Sequence, residues 1–501
     1  MITQIRQRQR GPRDDAAWPA LFQALFPAPP APVGLPADRS GASAAGRWVR
    51  AAAIHGVVLA VGVVVMLLRI PGRPWDTIYN EDLTVYLLDG LARPWHLFIP
   101  YGGYVQLLPR LVGQFAAMLP LKLAAKVFVL AGALTAAACA VVVFHATAGH
   151  IKSVALRVLA AAAVIFLPIA TLEIADSTVN SPWYLLLALF WVALWRPRTV
   201  TGMTVAAITA FLASSSEPMT LVFAPLFIAR FFALRRVRDH AVTIGWAVGL
   251  LTQVPGILQS QATNQSRLNA PVPIQHALGF FGHGVVQSAL GWHISWWLRH
   301  AVGQYGTMAI VGFILVVFFG WALLAGSVPT RLLIGTVLLT AFVFTVVSSD
   351  LGYKFAGIGL HVQIGHEAGS RYAVLGIFLI DCAAIIAIDA FLQRCQARRP
   401  SDQRDLDGLR PAGRTWSRPV AVTVAPVALL AVLAAGWVTD YRFEVPRSHG
   451  SARTWSVVMA DWGRECARNP VGGVLQVPTW DLPKGVTEAI PCSRIPAPPH
   501  H

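Results

Sequence analysis

The chain has 501 residues, of which 55% are hydrophobic and 13% are charged, and its formal net charge is +16. Soluble domains carry about 25% charged residues, and the apolar residues here form runs close to the ~20 residues that cross a bilayer as a helix. A soluble fold with a single core is therefore excluded. The basic side chains lie in short stretches beside the apolar runs, as at Arg235 and Arg236. This is the positive-inside pattern of a membrane protein, and it argues against nucleic-acid binding.

The apolar runs predict an all-α polytopic membrane protein. Residues 1–48 are rich in Arg, Pro and Ala and lack an apolar core, so we predict a disordered cytoplasmic arm and not a signal peptide. Residues 49–438 form the predicted transmembrane domain. A window near 19 residues predicts about eleven spans, close to residues 51–70, 121–145, 153–171, 182–196, 200–215, 218–234, 241–258, 304–326, 331–349, 372–393 and 419–438.

Charge predicts the orientation of these spans. With the N-terminus in the cytoplasm, every strongly basic loop is also cytoplasmic. The loops 71–120, 259–303 and 350–371 and the tail 439–501 then lie outside.

The first outer loop, residues 71–120, is predicted to contain two helices that lie in the membrane interface. Residues 81–91 and 104–119 each place apolar side chains on one helical face, and both segments are too short or too polar to span. Gly102 and Gly103 predict a tight turn just before the second helix.

Three carboxylates, Asp76, Glu81 and Asp82, lie in this loop. One interpretation is structural, because Asn80 is a good N-cap and acidic residues in a first helical turn are favoured by the helix dipole. The other is catalytic, because a carboxylate held at the outer interface could remove a proton from an acceptor hydroxyl. We favour the catalytic interpretation and prefer Asp82 or Glu81 to Asp76.

Basic side chains at the outer ends of predicted helices are candidate phosphate ligands. Arg110 follows Pro109 on the second interfacial helix, and Arg371-Tyr372 begins a span. An arginine there either extends to the headgroups or binds phosphate oxygens with its forked guanidinium. Lys354 is a weaker candidate for the same role.

The second outer loop contains Asn180 and Trp183, which either line a sugar pocket by hydrogen bonding and stacking or are structural. A similar turn carries Glu217 before Pro218, which we interpret as the capped start of a helix. His361 and His366, five residues apart, are a weak signal for a metal site, and no H-E-x-x-H spacing is present.

The tail 439–501 is predicted to be a small extracytoplasmic cap. It contains Cys466 and Cys492. An oxidising exterior favours a disulfide between them, and two free thiols are the alternative.

The chain resembles the GT-C superfamily of polyprenyl-phosphate-sugar-dependent membrane glycosyltransferases. The similarity covers residues 50–438 in architecture, with an acidic first outer loop, two interfacial helices and many further spans. In motif it rests on Glu81-Asp82, Tyr104 with Pro109-Arg110-Leu111, Asn180-Ser-Pro-Trp183 and Arg371-Tyr372. The composition also resembles that of actinobacterial proteins, so the expected location is a bacterial plasma membrane.

The resemblance implies inverting transfer from a polyprenyl-phosphate-linked sugar to a glycan, lipid or protein acceptor on the outer face. It implies that Asp82 or Glu81 is the base and that Arg371, with Arg110 or Lys354, stabilises the departing phosphate. Some members of the superfamily need a divalent cation and others do not, so a cation stays an open alternative.

Two other functions stay open. An O-antigen-type polymerase or ligase has similar spans, but its main polar loop usually lies late in the chain. A transporter or flippase for lipid-linked glycans predicts charges at mid-membrane, where the sequence offers mainly Asp381.

Overall fold

The computed structural model describes residues 24–28, 44–69, 73–79, 81–168, 174–175, 177–262, 278–279, 281–356, 371–397, 430–441, 454–468, 473–478 and 487–495. Within these ranges the chain is almost entirely helical. The first part of the chain contains α1 (Ala44–Arg69), a π-helical segment (Asp82–Leu87) continuing as α2 (Leu88–Ala92), α3 (Leu107–Met118), α4 (Ala124–Ala146), α5 (Val154–Phe166), α6 (Ser181–Leu194) and α7 (Val200–Ser216).

The second part contains a 3-10 segment (Pro218–Phe223), α8 (Ala224–Ala233), α9 (Ala241–Leu251), α10 (Val254–Ala262), α11 (Trp292–Ala325), α12 (Val328–Ala356), α13 (Arg371–Ala397), α14 (Leu430–Thr439) and α15 (Trp455–Arg468). Short helical turns lie at Pro74–Asp76, Leu121–Leu123, Thr147–Gly149, Val237–His240, Phe281–Val286, Gln287–Leu290 and Cys492–Arg494. A two-stranded antiparallel sheet, β1 (Val474–Pro478) and β2 (Thr487–Pro491), follows α15.

The described helices make this an all-α membrane protein. Six helical stretches are long and apolar enough to cross a bilayer: Ala52–Arg69, Leu121–Gly149, Val237–Leu258, His293–Ala325, Val328–Ser348 and Arg371–Cys395. Five shorter apolar helices accompany them, at Val154–Phe166, Ser181–Leu194, Val200–Ser216, Pro218–Ala233 and Leu430–Thr439. The stretch His293–Ala325 contains a kink at Gly303, where φ is 77° and ψ is 171°, and the helix after this kink begins where the span at 304–326 is predicted to begin.

Small residues allow close contact between helices α7 and α9. A Cβ atom on Gly245 would lie 2.5 Å from the carbonyl oxygen of Ala207, and one on Gly249 would lie 2.6 Å from that of Phe211. Membrane helices gain stability from such close backbone approach because lipid supplies no hydrophobic drive for helix association.

Polar contacts divide the loops into two groups, one at each end of the bundle. At one end, Arg69 donates to the carbonyl of Leu167 at 2.8 Å, and Gln253 binds the backbone of Val105. At the other end, Asp389 of α13 accepts hydrogen bonds from the amides of Lys152 and Ser153, each at 2.9 Å. Loops that the sequence assigns to one side of the membrane therefore contact one another.

The first outer loop contains both predicted helices, with altered bounds. The first is π-helical from Asp82 to Leu87 before it becomes α2. The second begins at Leu107 and not at 104, because Tyr101 and Tyr104 close a tight turn by pairing their backbones. Gly102 and Gly103 occupy that turn with φ of 62° and 94°, a conformation that glycine adopts without steric cost.

The two helices of the loop cross at Gly113. A Cβ atom there would lie 2.4 Å from the carbonyl oxygen of Tyr86. We expect Gly113→Ala to lower the free energy of unfolding by about 1–3 kcal/mol, because the backbones must separate. Thermal unfolding in detergent measures this, with Gly320→Ala as the control, since a Cβ at Gly320 would meet nothing within 4 Å. Equal unfolding midpoints for the two variants would contradict the close crossing.

The tail packs against the first outer loop and shares a hydrophobic core with it. Trp455 is 2% exposed and its indole N–H donates to the carbonyl of Leu121 at 2.9 Å. Val458, Ile490 and other apolar tail residues contact the loop around Leu87. Cys466 and Cys492 are joined by a disulfide with a Cα–Cα distance of 5.5 Å, which links α15 to the end of β2. The described part of the tail thus folds as a small cap on this loop.

Asp76 attaches the tail to the loop. Its Oδ1 accepts a hydrogen bond from the amide of Ser456 and its Oδ2 accepts one from the Ser456 hydroxyl, both at 2.8 Å. Asp76 thereby supplies the capping acceptor for α15 from a distant part of the chain.

We expect Asp76→Ala to speed proteolytic cleavage of the tail about fivefold, because loss of a helix cap costs about 1 kcal/mol. Limited proteolysis of the purified protein measures the rate. Asp461→Ala is the control, since the Asp461 side chain is partly exposed and its ion pair, with Arg464, lies within α15. Unchanged cleavage of Asp76→Ala would rule out this attachment.

Candidate functional site

Asp82 connects the first outer loop to the second. Its side chain is fully buried, Oδ2 accepts from the amide of Thr178 at 3.0 Å and Oδ1 accepts from that of Val179 at 2.9 Å. Burial raises the pKa of Asp82 to about 8, although the two amide donors oppose the rise. Both oxygens are thus committed to backbone, which makes Asp82 a residue that fixes the loop next to Asn180.

Glu81 precedes the π-helical segment and is half-buried. Because Asp82 is anchored, the neighbouring Glu81 is held at a fixed position at the start of the segment. π-helical turns are rare and occur frequently at functional sites. The adjacent carboxylates therefore differ in environment, one inside the protein and one at the edge of the site.

Arg371 lies at the first turn of α13 and contacts the second outer loop. One guanidinium nitrogen donates to Asn180 Oδ1 at 3.3 Å and the other to the Tyr372 hydroxyl at 3.5 Å. Asn180 is 1% exposed, so it fixes the arginine from inside the protein. Trp183 is also buried and meets the Tyr372 ring edge to face at a centroid distance of 5.3 Å. It supports Tyr372 and does not offer an open face for a sugar.

Tyr104 lies within electrostatic reach of several of these groups. Its pKa is raised well above its ordinary value, first by burial and next by the negative charge of Glu217. Tyr372 and Glu81 raise it further, whereas the positive charge of Arg371 lowers it. The charges of Glu81, Glu217 and Arg371 therefore all act on the Tyr104 hydroxyl.

The turn that carries Tyr104 is fixed to the bundle. The Gln253 side-chain oxygen accepts from the amide of Val105 at 2.8 Å, and its nitrogen donates to the carbonyls of Val105 and Ser214, both at 3.0 Å. The amide of Leu108 donates to the Ser216 hydroxyl at 3.0 Å. These bonds hold the turn against the end of α7, where Glu217 lies.

Glu217 is the site residue that sequence reasoning missed. It is 5% exposed, and its Oε1 accepts from the amide of Met219 at 3.2 Å, as a helix-capping acid would. Burial raises its pKa to about 7, opposed by the Met219 amide and then by the charge of Arg371. The cap interpretation was therefore incomplete. The available signal was a carboxylate between two apolar helices, where charge is costly.

Arg110 belongs to a different cluster from Arg371. It is 4% exposed, pairs with Asp89 Oδ2 at 2.8 Å and lies 5.9 Å from the centroid of the Tyr86 ring. Asp76 is likewise separate, since it caps the tail helix. Asn80 and the side chain of Lys354 lie outside the described residues, as do His361 and His366.

Among the described residues, no group of three or more His, Cys, Asp or Glu side chains could hold a metal ion. The candidate site consists of the carboxylates of Glu81 and Glu217, the guanidinium of Arg371 and the tyrosines Tyr104 and Tyr372. It can accept a proton and bind an anion at neighbouring positions. Comparison with protein-family models and with curated proteins finds no match for this chain.

Proposed function

We propose that the chain is an inverting GT-C-type glycosyltransferase that moves a sugar from polyprenyl phosphate to a cell-envelope glycan, lipid or protein. The observation that carries the proposal is that the carboxylates of Glu81 and Glu217 and the guanidinium of Arg371 all act electrostatically on Tyr104, whose turn is hydrogen-bonded to the end of α7 beside Glu217. A base beside an anion site in a membrane protein fits a substrate whose leaving group is a lipid phosphate.

Glu81 is the base in this proposal. The acceptor hydroxyl gives its proton to the Glu81 carboxylate while its oxygen attacks the anomeric carbon. The bond from that carbon to the phosphate oxygen breaks, and its electron pair leaves with the lipid phosphate. Arg371 stabilises the second negative charge that develops on the phosphate. Attack opposite the leaving group inverts the anomeric carbon.

The buried residues position these reacting groups. Asp82 fixes the loop that carries Asn180 by accepting two amide hydrogen bonds. Asn180 holds Arg371, and Trp183 supports Tyr372. Asp76 and Arg110 have no reacting role, because their oxygens and guanidinium are engaged with Ser456 and Asp89.

We extend the proposal to eleven spans, with the five shorter apolar helices crossing as well. The 14 residues of α6 reach about 21 Å at 1.5 Å per residue, less than the ~30 Å of hydrocarbon. All of α6 is buried, however, and irregular backbone at its ends is tolerated where protein surrounds it. From the positive-inside rule we further propose that the N-terminus is cytoplasmic and that the site and tail lie outside a bacterial plasma membrane.

Transfer of a radiolabelled sugar from polyprenyl phosphate to membrane glycan by the purified protein tests the function. We expect label to enter the acceptor from this donor and not from the matching nucleotide sugar. Transfer of preassembled glycan from polyprenyl diphosphate would favour a polymerase or ligase. Movement of labelled donor across vesicles without transfer would favour a transporter.

The pH dependence of donor binding tests the role of Glu217. Its pKa of about 7 means that the carboxyl is mostly neutral below pH 7 and negative above it. The negative form attracts Arg371 and repels the donor phosphate, so we expect KM for the donor to rise about fivefold as pH increases through 7, the effect of roughly 1 kcal/mol. Glu217→Gln should keep a low, flat KM over the same range. A rise of equal size in Glu217→Gln would exclude Glu217 as its source.

A further inference from the structure

The tail is attached to the first outer loop at two places that lie far apart in the loop sequence. Before the π-helical segment, the carboxylate of Asp76 accepts two hydrogen bonds from Ser456. After α3, the carbonyl of Leu121 accepts the indole N–H of Trp455 at 2.9 Å, and a carbonyl in the last turn of α3 accepts from the guanidinium of Arg494. The tail therefore bridges the loop from its beginning to its end.

One hydrophobic core continues from the tail into both of the first two outer loops. It contains Val458 and Ile490 of the tail together with Leu87 of the π-helical segment. It also contains Val179 of the second outer loop, which is 7% exposed. The amide of Val179 is one of the two groups that bind the carboxylate of Asp82. The core that the tail covers thus includes the loop position to which Asp82 is bonded.

A disulfide closes the tail on itself above this core. It joins Cys466, in the last turn of α15, to Cys492, which follows β2 and lies 26 positions later. Both cysteines pack against the shared core, and neither is fully buried. The described sheet of the tail consists of β1 and β2 alone, and two strands by themselves are only marginally stable in water. The closed tail therefore depends on the disulfide and on the core beneath it.

We propose that the Cys466–Cys492 disulfide is a redox switch for the first outer loop. With the bond closed, the tail holds the loop, and reduction of the bond releases the π-helical segment and its contact through Asp82. Reduction takes two electrons and two protons from a dithiol, which becomes a cyclic disulfide, and it leaves two thiols on the tail. The tail then keeps its apolar contacts but loses the cross-link that limits its opening. This coupling goes beyond sugar transfer and does not depend on it.

Hydrogen–deuterium exchange of the purified protein in detergent tests this, before and after dithiothreitol, with complete reduction verified by labelling of two additional thiols. We expect the amides of residues 82–92 to exchange about 30-fold faster after reduction, the smaller end of the effect of a disulfide on an opening equilibrium. The variant Cys466→Ala/Cys492→Ala should exchange at this faster rate with or without dithiothreitol. Cys395→Ala is the matched control and should behave as wild type, because Cys395 is a free, exposed cysteine of α13.

Equal exchange of residues 82–92 in the oxidised and the reduced protein would overturn the proposal, even if the tail itself exchanged faster. Labelling of Cys466 and Cys492 without prior reduction would overturn it as well, because the bond would then be absent. Should the double alanine variant not fold, reduction of the folded wild type gives the same comparison. Exchange is measured without donor or acceptor, so a failure of sugar transfer changes none of these outcomes.

Discussion

Replacing Glu81 with glutamine is expected to lower the rate of sugar transfer by about 10²–10⁴-fold, the contribution of a positioned general base. Glutamine keeps the size and hydrogen-bonding groups of the side chain but cannot take up the acceptor proton. Because Glu81 is half-buried at the edge of the site, we expect the unfolding midpoint to stay unchanged. Initial rates with radiolabelled donor and a thermal unfolding curve measure both effects.

Asp82→Asn is the informative comparison, because the two carboxylates are adjacent in sequence. An amide can accept from one of the two loop N–H groups but not from both, so we expect a lower unfolding midpoint and residual transfer. Glu465→Gln, which changes an exposed carboxylate on the tail helix, should behave as wild type. Full transfer by Glu81→Gln would remove Glu81 as the base, and a loss only in Glu217→Gln would give that role to Glu217.

Arg371→Gln is expected to lower kcat by about 10²–10³-fold, as loss of a charge-stabilising donor does. The charge on the phosphate doubles only as the bond breaks, so kcat and kcat/KM should fall together. Arg371→Lys should recover part of the rate, because lysine keeps the charge but lacks the forked geometry that reaches Asn180 and the phosphate together. Steady-state kinetics at varied donor concentration measure kcat and KM for the wild type and for the two Arg371 variants.

Arg331→Gln is the matched control for the arginine. Arg331 is exposed at the turn between α11 and α12, where it donates to the carbonyls of Gly326 and Leu324, each at 2.7 Å. We expect it to transfer sugar at the wild-type rate. A rise in KM for Arg371→Gln without loss of kcat would assign Arg371 to donor binding alone.

Local composition was sufficient to predict the helices. Apolar runs of spanning length identified the long helices, such as Leu121–Gly149 and Arg371–Cys395, because a helix satisfies its own backbone hydrogen bonds and needs no distant partner. The turn at Gly102 and Gly103 was predicted because the turn propensity of glycine is also a local property. The start of the second helix was misplaced by three residues, since Tyr104 pairs with Tyr101 across that turn.

The candidate site was predicted only in part. Glu81 and Arg371 were singled out because charge at an outer helix end requires an explanation. The sequence could not separate Glu81 from Asp82, whose difference is the contact of Asp82 with Thr178 and Val179. Nor could it separate Arg110 from Arg371, which are distinguished by their partners Asp89 and Asn180.

By itself, then, the sequence determined that this is a multi-span helical membrane protein with an acidic first loop, because hydropathy and turn propensity are local properties. The tertiary structure alone decided which polar groups are buried, which are paired and which meet. Asp82 fixes a loop, Asp76 caps the tail helix, and Glu217 acts electrostatically on the same tyrosine as Glu81 and Arg371. These roles arise from contacts between residues far apart in the chain, and burial sets both the hydrogen bonding and the pKa of each carboxyl.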